Sequence, residues 1–222
     1  FGHNRLSIID LDPRSDQPFT YYDHIHIVFN GEIYNFKSIK KTLIQKGYEF
    51  HTTSDTEVMC AAYLEYGKNC VDHFNGMFAF VIYDEKTGDI FVARDRLGIK
   101  PLYYYFNNGK LIFSSEIKSI LISPDVPKEL NFSALHHYLT FGYIPAPLSI
   151  FKNIHKVLPG HLLIYENQTI HSKKYWDIQN NDISFDDFEN QKEIERKLLE
   201  LIEESIELHM ISDVPVGAFL SG

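Results

Sequence analysis

What most constrains this chain is a repeated strand–turn–strand pattern, in which short apolar runs come in pairs around polar turns. Residues 77–84 and 89–94 flank a turn containing Thr87 and Gly88, and residues 102–106 and 110–114 flank Asn107-Asn108-Gly109. A later pair, 161–166 and 170–176, is joined through Asn167 and Gln168. Asn and Gly in such turns are the residues that accept the left-handed backbone of a hairpin. Hairpins with helices laid against them predict a layered α+β domain with largely antiparallel sheets. The chain has 222 residues, 44% of them hydrophobic, with abundant Tyr and Phe. That is material for one full domain with a sizeable core and part of another.

Helical periodicity appears between the strands. A strand is expected over 24–29, and a helix over 36–46 with Phe36, Ile39, Leu43 and Ile44 on its apolar face and Gly47 as its stop. Ser54 and Glu57 have the spacing of a capping box for a helix reaching Tyr66. Residues 131–139 read as a short helix. After Trp176 the character changes: 177–190 is polar and acidic, with Asn180-Asn181-Asp182 at its centre. A long amphipathic helix is expected from Gln191 to Met210, followed by a short apolar strand over 214–220.

Composition argues against several functions. The net charge is −9 and no basic run is long enough for a nucleic-acid footprint. The longest apolar run, 77–83, is too short to cross a bilayer, and no signal-peptide pattern follows Phe1. A soluble, cytoplasmic protein is the expectation. Cys60 and Cys70 are too few for a disulfide framework or a structural zinc site, and both read as core residues. The histidines form no metal-binding spacing.

The segment Phe29-Asn30-Gly31-Glu32-Ile33-Tyr34-Asn35 carries the most chemistry. An apolar strand runs into an amide, a glycine and a carboxylate, and a helix opens just after. Asn30 offers donors, Gly31 lets a backbone N–H approach a ligand, and Glu32 can hold an ammonium. Such groups suit a small zwitterion or an oxyanion. The same residues also read as an ordinary Asn-Gly turn with an acid near a helix start.

Four segments in order carry a family resemblance: residues 2–10 (Gly-His-Asn-Arg-Leu-Ser-Ile-Ile-Asp), 29–35, Ser54-Asp55-Thr56-Glu57, and 94–104, which opens Arg94-Asp95-Arg96-Leu97-Gly98. Ser114-Ser115-Glu116 and Leu158-Pro159-Gly160-His161 extend the match, and 213–222 looks like the entry to a second domain. Together they resemble the glutamine-hydrolysing asparagine synthetases. The resemblance implies an α+β fold: a four-layer αββα N-terminal-nucleophile sandwich, truncated at its N-terminus. After it would come the first helix and strand of an α/β pyrophosphatase-type (PP-loop) domain. Its implied boundaries are 1–178 for the glutamine amidotransferase domain, 179–190 for a linker, and 191–222 for the start of the synthetase domain.

The resemblance also implies a reaction. Glutamine hydrolysis would supply ammonia for the ATP-dependent amidation of aspartate, giving AMP and diphosphate. Glutamine, ATP and aspartate are the implied partners, with Mg²⁺ accompanying ATP, no nucleic acid, no membrane, and a homodimer left open. Asn30 and the Gly31 N–H would form the oxyanion hole. Arg5 would meet the glutamine α-carboxylate, Leu6, Ser7, Ile8 and Ile9 would supply main-chain contacts, and Glu32 and Asp55 would hold the α-ammonium. Leu220, Ser221 and Gly222 would begin the ATP-binding loop. Arg5 also reads as an ion-pair partner of Asp10 or Asp12, and Asp55 as an acid favoured at a helix start. Arg94, Asp95, Gly98 and Pro101 read as architectural. The nucleophilic cysteine and most of the ATP loop are expected outside these residues, so the chain reads as a fragment inactive by itself. The alternatives are a related amidotransferase acting on another carboxylate, and a non-catalytic glutamine-binding module.

Overall fold

The computed structural model describes residues 1–178 and 191–219. Among these residues, nine strands fall into two sheets. In chain order the strands are β1 (Phe19–Tyr21), β2 (Ile25–Ile33), β3 (Gly76–Asp84), β4 (Asp89–Arg94), β5 (Tyr103–Asn107), β6 (Lys110–Ser114), β7 (Ile154–Lys156), β8 (His161–Glu166) and β9 (Thr169–Lys174). The helices are α1 (Phe36–Gln45), α2 (Asp55–Tyr66), α3 (Ile117–Ile120), α4 (Phe132–Phe141) and α5 (Gln191–His209). The large sheet runs β1-β2-β3-β4-β8-β9 and the small one β6-β5-β7. Every neighbouring pair is antiparallel.

The side-chain alternation of the strands sorts the core into layers. From β2, β3 and β4, Ile25, Ile27, Phe29, Phe78, Phe80, Ile82 and Phe91 face α1 and α2, where they pack with Leu43, Val58 and Met59. Phe74 meets both Phe78 and Phe80 edge-on, and Phe80 meets Phe91 likewise, with centroids about 6 Å apart. On the opposite face Val28, Val81, Val92 and Leu163 meet Tyr104 and Phe113 of the small sheet. Beyond that sheet, Tyr105 and Ile154 pack on Ile120 and Val126. The order is helix, sheet, sheet, helix, the αββα stack implied by the motifs.

The structure corrects several local expectations. β2 does not end at Phe29: it pairs through to Ile33, because β3 is long enough to match it residue for residue. The Asn30–Gly31 pair therefore sits in a strand, opposite Ala79 and Phe78, and is no turn. Ile44 is exposed on α1, whose buried face is Phe36, Ile39 and Leu43. The capping box is half formed. Ser54 Oγ accepts from Thr56 N at 3.1 Å, but the buried Glu57 carboxylate turns to His51 N, Thr52 N and the Thr52 hydroxyl. No strand forms over 214–219, where Pro215 lacks an N–H. The linker core, together with Leu220, Ser221 and Gly222, lies outside the described residues.

The connection between β4 and β5 is a rigid hub. Asp95, 1% exposed, accepts from the backbone N–H groups of Phe78, Leu97, Ile99 and Lys100 at 2.9–3.2 Å. Arg94 donates to the carbonyls of Gly98, Lys100 and Val157 at 2.6–2.7 Å. These bonds lock the loop that delivers Lys100 to the space between the two sheets.

Candidate functional site: a cleft between the sheets

A cleft of about 770 Å³ opens at one end of the sandwich. One wall is the irregular segment from Gly2 to Ile9, and the floor is β2 from Val28 to Glu32 with Ala79, Phe80 and Val81 of β3. Asp55 and Thr56 enter from the start of α2, and Lys100, Phe113, Ser114 and Glu116 close the small-sheet side. Of the expected glutamine-site residues, Arg5, Leu6, Ile8, Ile9, Asn30, Gly31, Glu32 and Asp55 line this one cleft. Ser7 does not. Leu6 is 83% exposed, so it is no core residue, whereas Ile9 is buried.

The floor is shaped by strand alternation. Phe29 N donates to Gln17 Oε1 at 2.6 Å and Ile33 N to Asp55 Oδ2 at 3.0 Å, so both donors turn away from β3. Gly31 lies midway between them, and alternation turns its N–H the same way, toward the open edge beyond β1. The position also demands glycine. Its φ is +146°, and a Cβ there would stand 2.0 Å from Met77 O.

Of the three carboxylates lining the cleft, Asp55 and Glu32 are the ones held in strained ionisation, with Glu116 across from them on the small-sheet side. Asp55 is buried at the head of α2, and its pKa is pushed up to about 6 by desolvation. The backbone donors of Ile33 and Thr56 only partly offset this, and the charge of Glu32 adds to it. Glu32 is half-buried, and desolvation raises its pKa too, against the opposing pull of Lys100 and His209. Two acids held reluctantly ionised beside a cleft are poised to gain from a cation.

Arg5 lines the cleft, but its ion pair is not the one expected. Its terminal nitrogens donate to the carbonyls of Ile9 (2.9 Å), Asp10 and Asp12 (3.3 Å), and pair with Asp16 at 3.1 Å. The ion-pair partner is therefore Asp16, and Asp10 and Asp12 contribute carbonyls instead. The guanidinium folds segment 9–16 around itself, and two-point binding of a ligand carboxylate by Arg5 requires exchange of one of those partners. Asp10 completes the wall. It is buried, with φ of +56°, and its carboxylate accepts from Asp12 N, Ser15 Oγ and Thr53 N at 2.7–3.0 Å. Desolvation opposes its charge, but those hydrogen bonds hold its pKa below the usual range.

Residues without a predicted role also line the cleft. His3 and Lys100 stand inside the quoted motifs, so motif position was a usable signal; Gln17 offered none. The His3 Nδ1 is buried with no hydrogen-bond partner, and desolvation lowers its pKa. Cys60 and Cys70 lie outside the cleft, fully buried, with both thiol pKa values raised by desolvation. Among the described residues no group of three or more His, Cys, Asp or Glu could hold a metal ion, and no helix is long and apolar enough to cross a membrane.

Comparison with known proteins agrees with this geometry. A family described as the glutamine amidotransferase domain matches residues 1–176. Asparagine synthetase [glutamine-hydrolyzing] 3 of Bacillus subtilis is 37% identical over the whole chain. A putative asparagine synthetase [glutamine-hydrolyzing] 2 of Methanocaldococcus jannaschii is 39% identical over the same extent. The chain spans only 36% and 45% of the length of these relatives. The fold is shared with a solved structure titled the allosteric regulatory enzyme of purine biosynthesis. That likeness has a TM-score of 0.52 at 22% identity, over 75% of this chain and 32% of the other. With the match covering both sheets and every wall of the cleft, this chain belongs to the glutamine amidotransferase domain family.

Proposed function

We propose that the cleft binds glutamine and that the gene product carrying this chain is a glutamine-hydrolysing asparagine synthetase. The observation that carries the proposal is the convergence of Asn30, Gly31, Glu32 and Asp55 on one cleft beside the Arg5–Ile9 wall. Glutamine is a zwitterion with a neutral side-chain amide. Asp55 and Glu32 are suited to its ammonium, and Asn30 with the Gly31 N–H to the oxygen that becomes negative when the amide carbon is attacked. Arg5 is the proposed partner of the α-carboxylate and also the residue that folds the wall, while the main chain of Leu6 to Ile9 lies along the ligand.

The proposed hydrolysis proceeds through a cysteine thiolate. Cys60 and Cys70 are too deeply buried to supply one, so the proposal places the nucleophile on another cysteine of the gene product. ATP, aspartate and accompanying Mg²⁺ belong to the synthetase part, with 1–178 as the amidotransferase domain, 179–190 as the linker and 191–222 as the start of the second domain. Leu220, Ser221 and Gly222 are the proposed opening of its ATP loop.

The test supplies the gene product with glutamine, aspartate and ATP with Mg²⁺, and measures glutamate and asparagine. Equal amounts of both are expected. Glutamate without asparagine removes aspartate as the acceptor, and no glutamate overturns the proposal.

A further inference from the structure

Asp213 follows α5 and lies more than two hundred residues from the segment it touches. Asp10 N donates to Asp213 Oδ2 at 2.7 Å, and Asp213 N donates to Ile8 O at 3.0 Å. The pair of bonds grips Ile9 on both flanks. Ile211, two residues earlier, packs on the core beneath the same wall. Asp213 is not among the cleft-lining residues, so its grip acts from outside.

We infer that Asp213 is a positioning residue for glutamine binding: it latches the Ile8–Asp10 wall and links that wall to the segment following α5. The inference rests on the proposed function of the cleft. Asp10 is where the latch acts. Its left-handed φ of +56° is costly for a residue with a Cβ, and persists only when its surroundings hold it. Its carboxylate holds Thr53 N, two residues before Asp55, and its N–H is held by Asp213. One residue thereby joins the Ile8–Ile9 wall to the head of α2. A charge-assisted bond to the Asp10 N–H keeps both in register. By reciprocity, whatever displaces Asp213 weakens glutamine binding by the factor with which glutamine tightens the latch.

The test compares Asp213→Ala and Asp213→Asn in the gene product. The Ala variant loses only the acceptor for Asp10 N; the Asn variant keeps a carbonyl oxygen there. For Ala we expect KM for glutamine to rise about three- to tenfold with kcat within about twofold, the loss of one hydrogen bond. The Asn variant should recover most of that. Hydrogen exchange should quicken in residues 1–16 and 51–55 of the Ala variant and stay unchanged in the β8–β9 hairpin. An unchanged KM, or a fall in kcat and melting temperature that Asn does not rescue, overturns the inference. If the unsubstituted protein hydrolyses no glutamine, the proposed function fails instead. Exchange then decides the latch alone, and unchanged exchange overturns it.

Discussion

Asp95 and Asp55 are both buried carboxylates at the edge of the same sandwich, and they are satisfied very differently. Asp95 accepts four backbone N–H bonds, from β3 and from its own loop. Asp55 accepts a well-formed bond from Ile33 N alone among the described residues, with weaker support from the N–H groups of Thr56 and of Asp55 itself, has Glu32 as a like-charged neighbour, and has its pKa pushed up to about 6. A carboxylate surrounded by fixed donors is part of the framework, because its charge is neutralised whether or not anything binds. A carboxylate short of donors and open to a cleft is destabilising until a cation arrives. The contrast sets a framework acid, Asp95, against Asp55, the acid proposed to meet a ligand.

Substitutions can break this contrast, and the largest effect is expected at Asp95. Asp95→Ala orphans the buried N–H of Phe78 and three part-buried N–H groups of its own loop, and should cost about 3–5 kcal/mol, read as a lower urea midpoint. A loss under about 1 kcal/mol would mean the hub is redundant. Asp55→Asn should do the reverse to stability. A raised pKa means that the folded state holds its proton more tightly than the unfolded one. Asp55 therefore contributes stability below about pH 4 that is lost as pH rises through about 6. The Asn variant should match the native chain at low pH, melt no lower above pH 6, and bind glutamine about a hundredfold more weakly. A variant that melts well below the native protein at pH 7 would make Asp55 a second Asp95.

Gly31→Ala comes next in size. Its Cβ would collide with Met77 O, so a loss of at least about 2 kcal/mol is expected in thermal unfolding. Smaller again is Lys100→Met, which removes the cation beside Glu32. Glutamine KM should then rise about two- to threefold at pH 5.5 and less at pH 8, since Glu32 gives up its proton less readily. No change at either pH would remove Lys100 from the site.

Much of this contrast was legible in the sequence, and the exceptions have physical causes. The three hairpins appear where turn residues and alternation put them, because both signals are local. Phe36, Ile39 and Leu43 gave the buried face of α1, but Ile44 shows that an apolar residue at the margin of a stripe can face water. β1 and β7, three residues each, carry too short a pattern to see. Asn30–Gly31 read as a turn, since nothing local reveals that β3 pairs across it. The resemblance brought Asp55, Glu32 and Asn30 to one cleft. It did not reveal that Arg5 is engaged with three carbonyls and Asp16, or that Asp10 ties two walls together, because those bonds are set by loop geometry.

The central claim is that Asp55 meets the ammonium of glutamine, and its most direct test is the pH dependence of glutamine affinity measured by calorimetry on this chain. Neither charge of glutamine titrates between pH 5 and 7, whereas Asp55 does. Affinity should rise about tenfold from pH 5 to 7, with release of about one proton per glutamine at pH 5 falling to about half a proton near pH 6, and both effects should vanish in Asp55→Asn. An affinity that is flat across that range, with no proton released, would contradict the account.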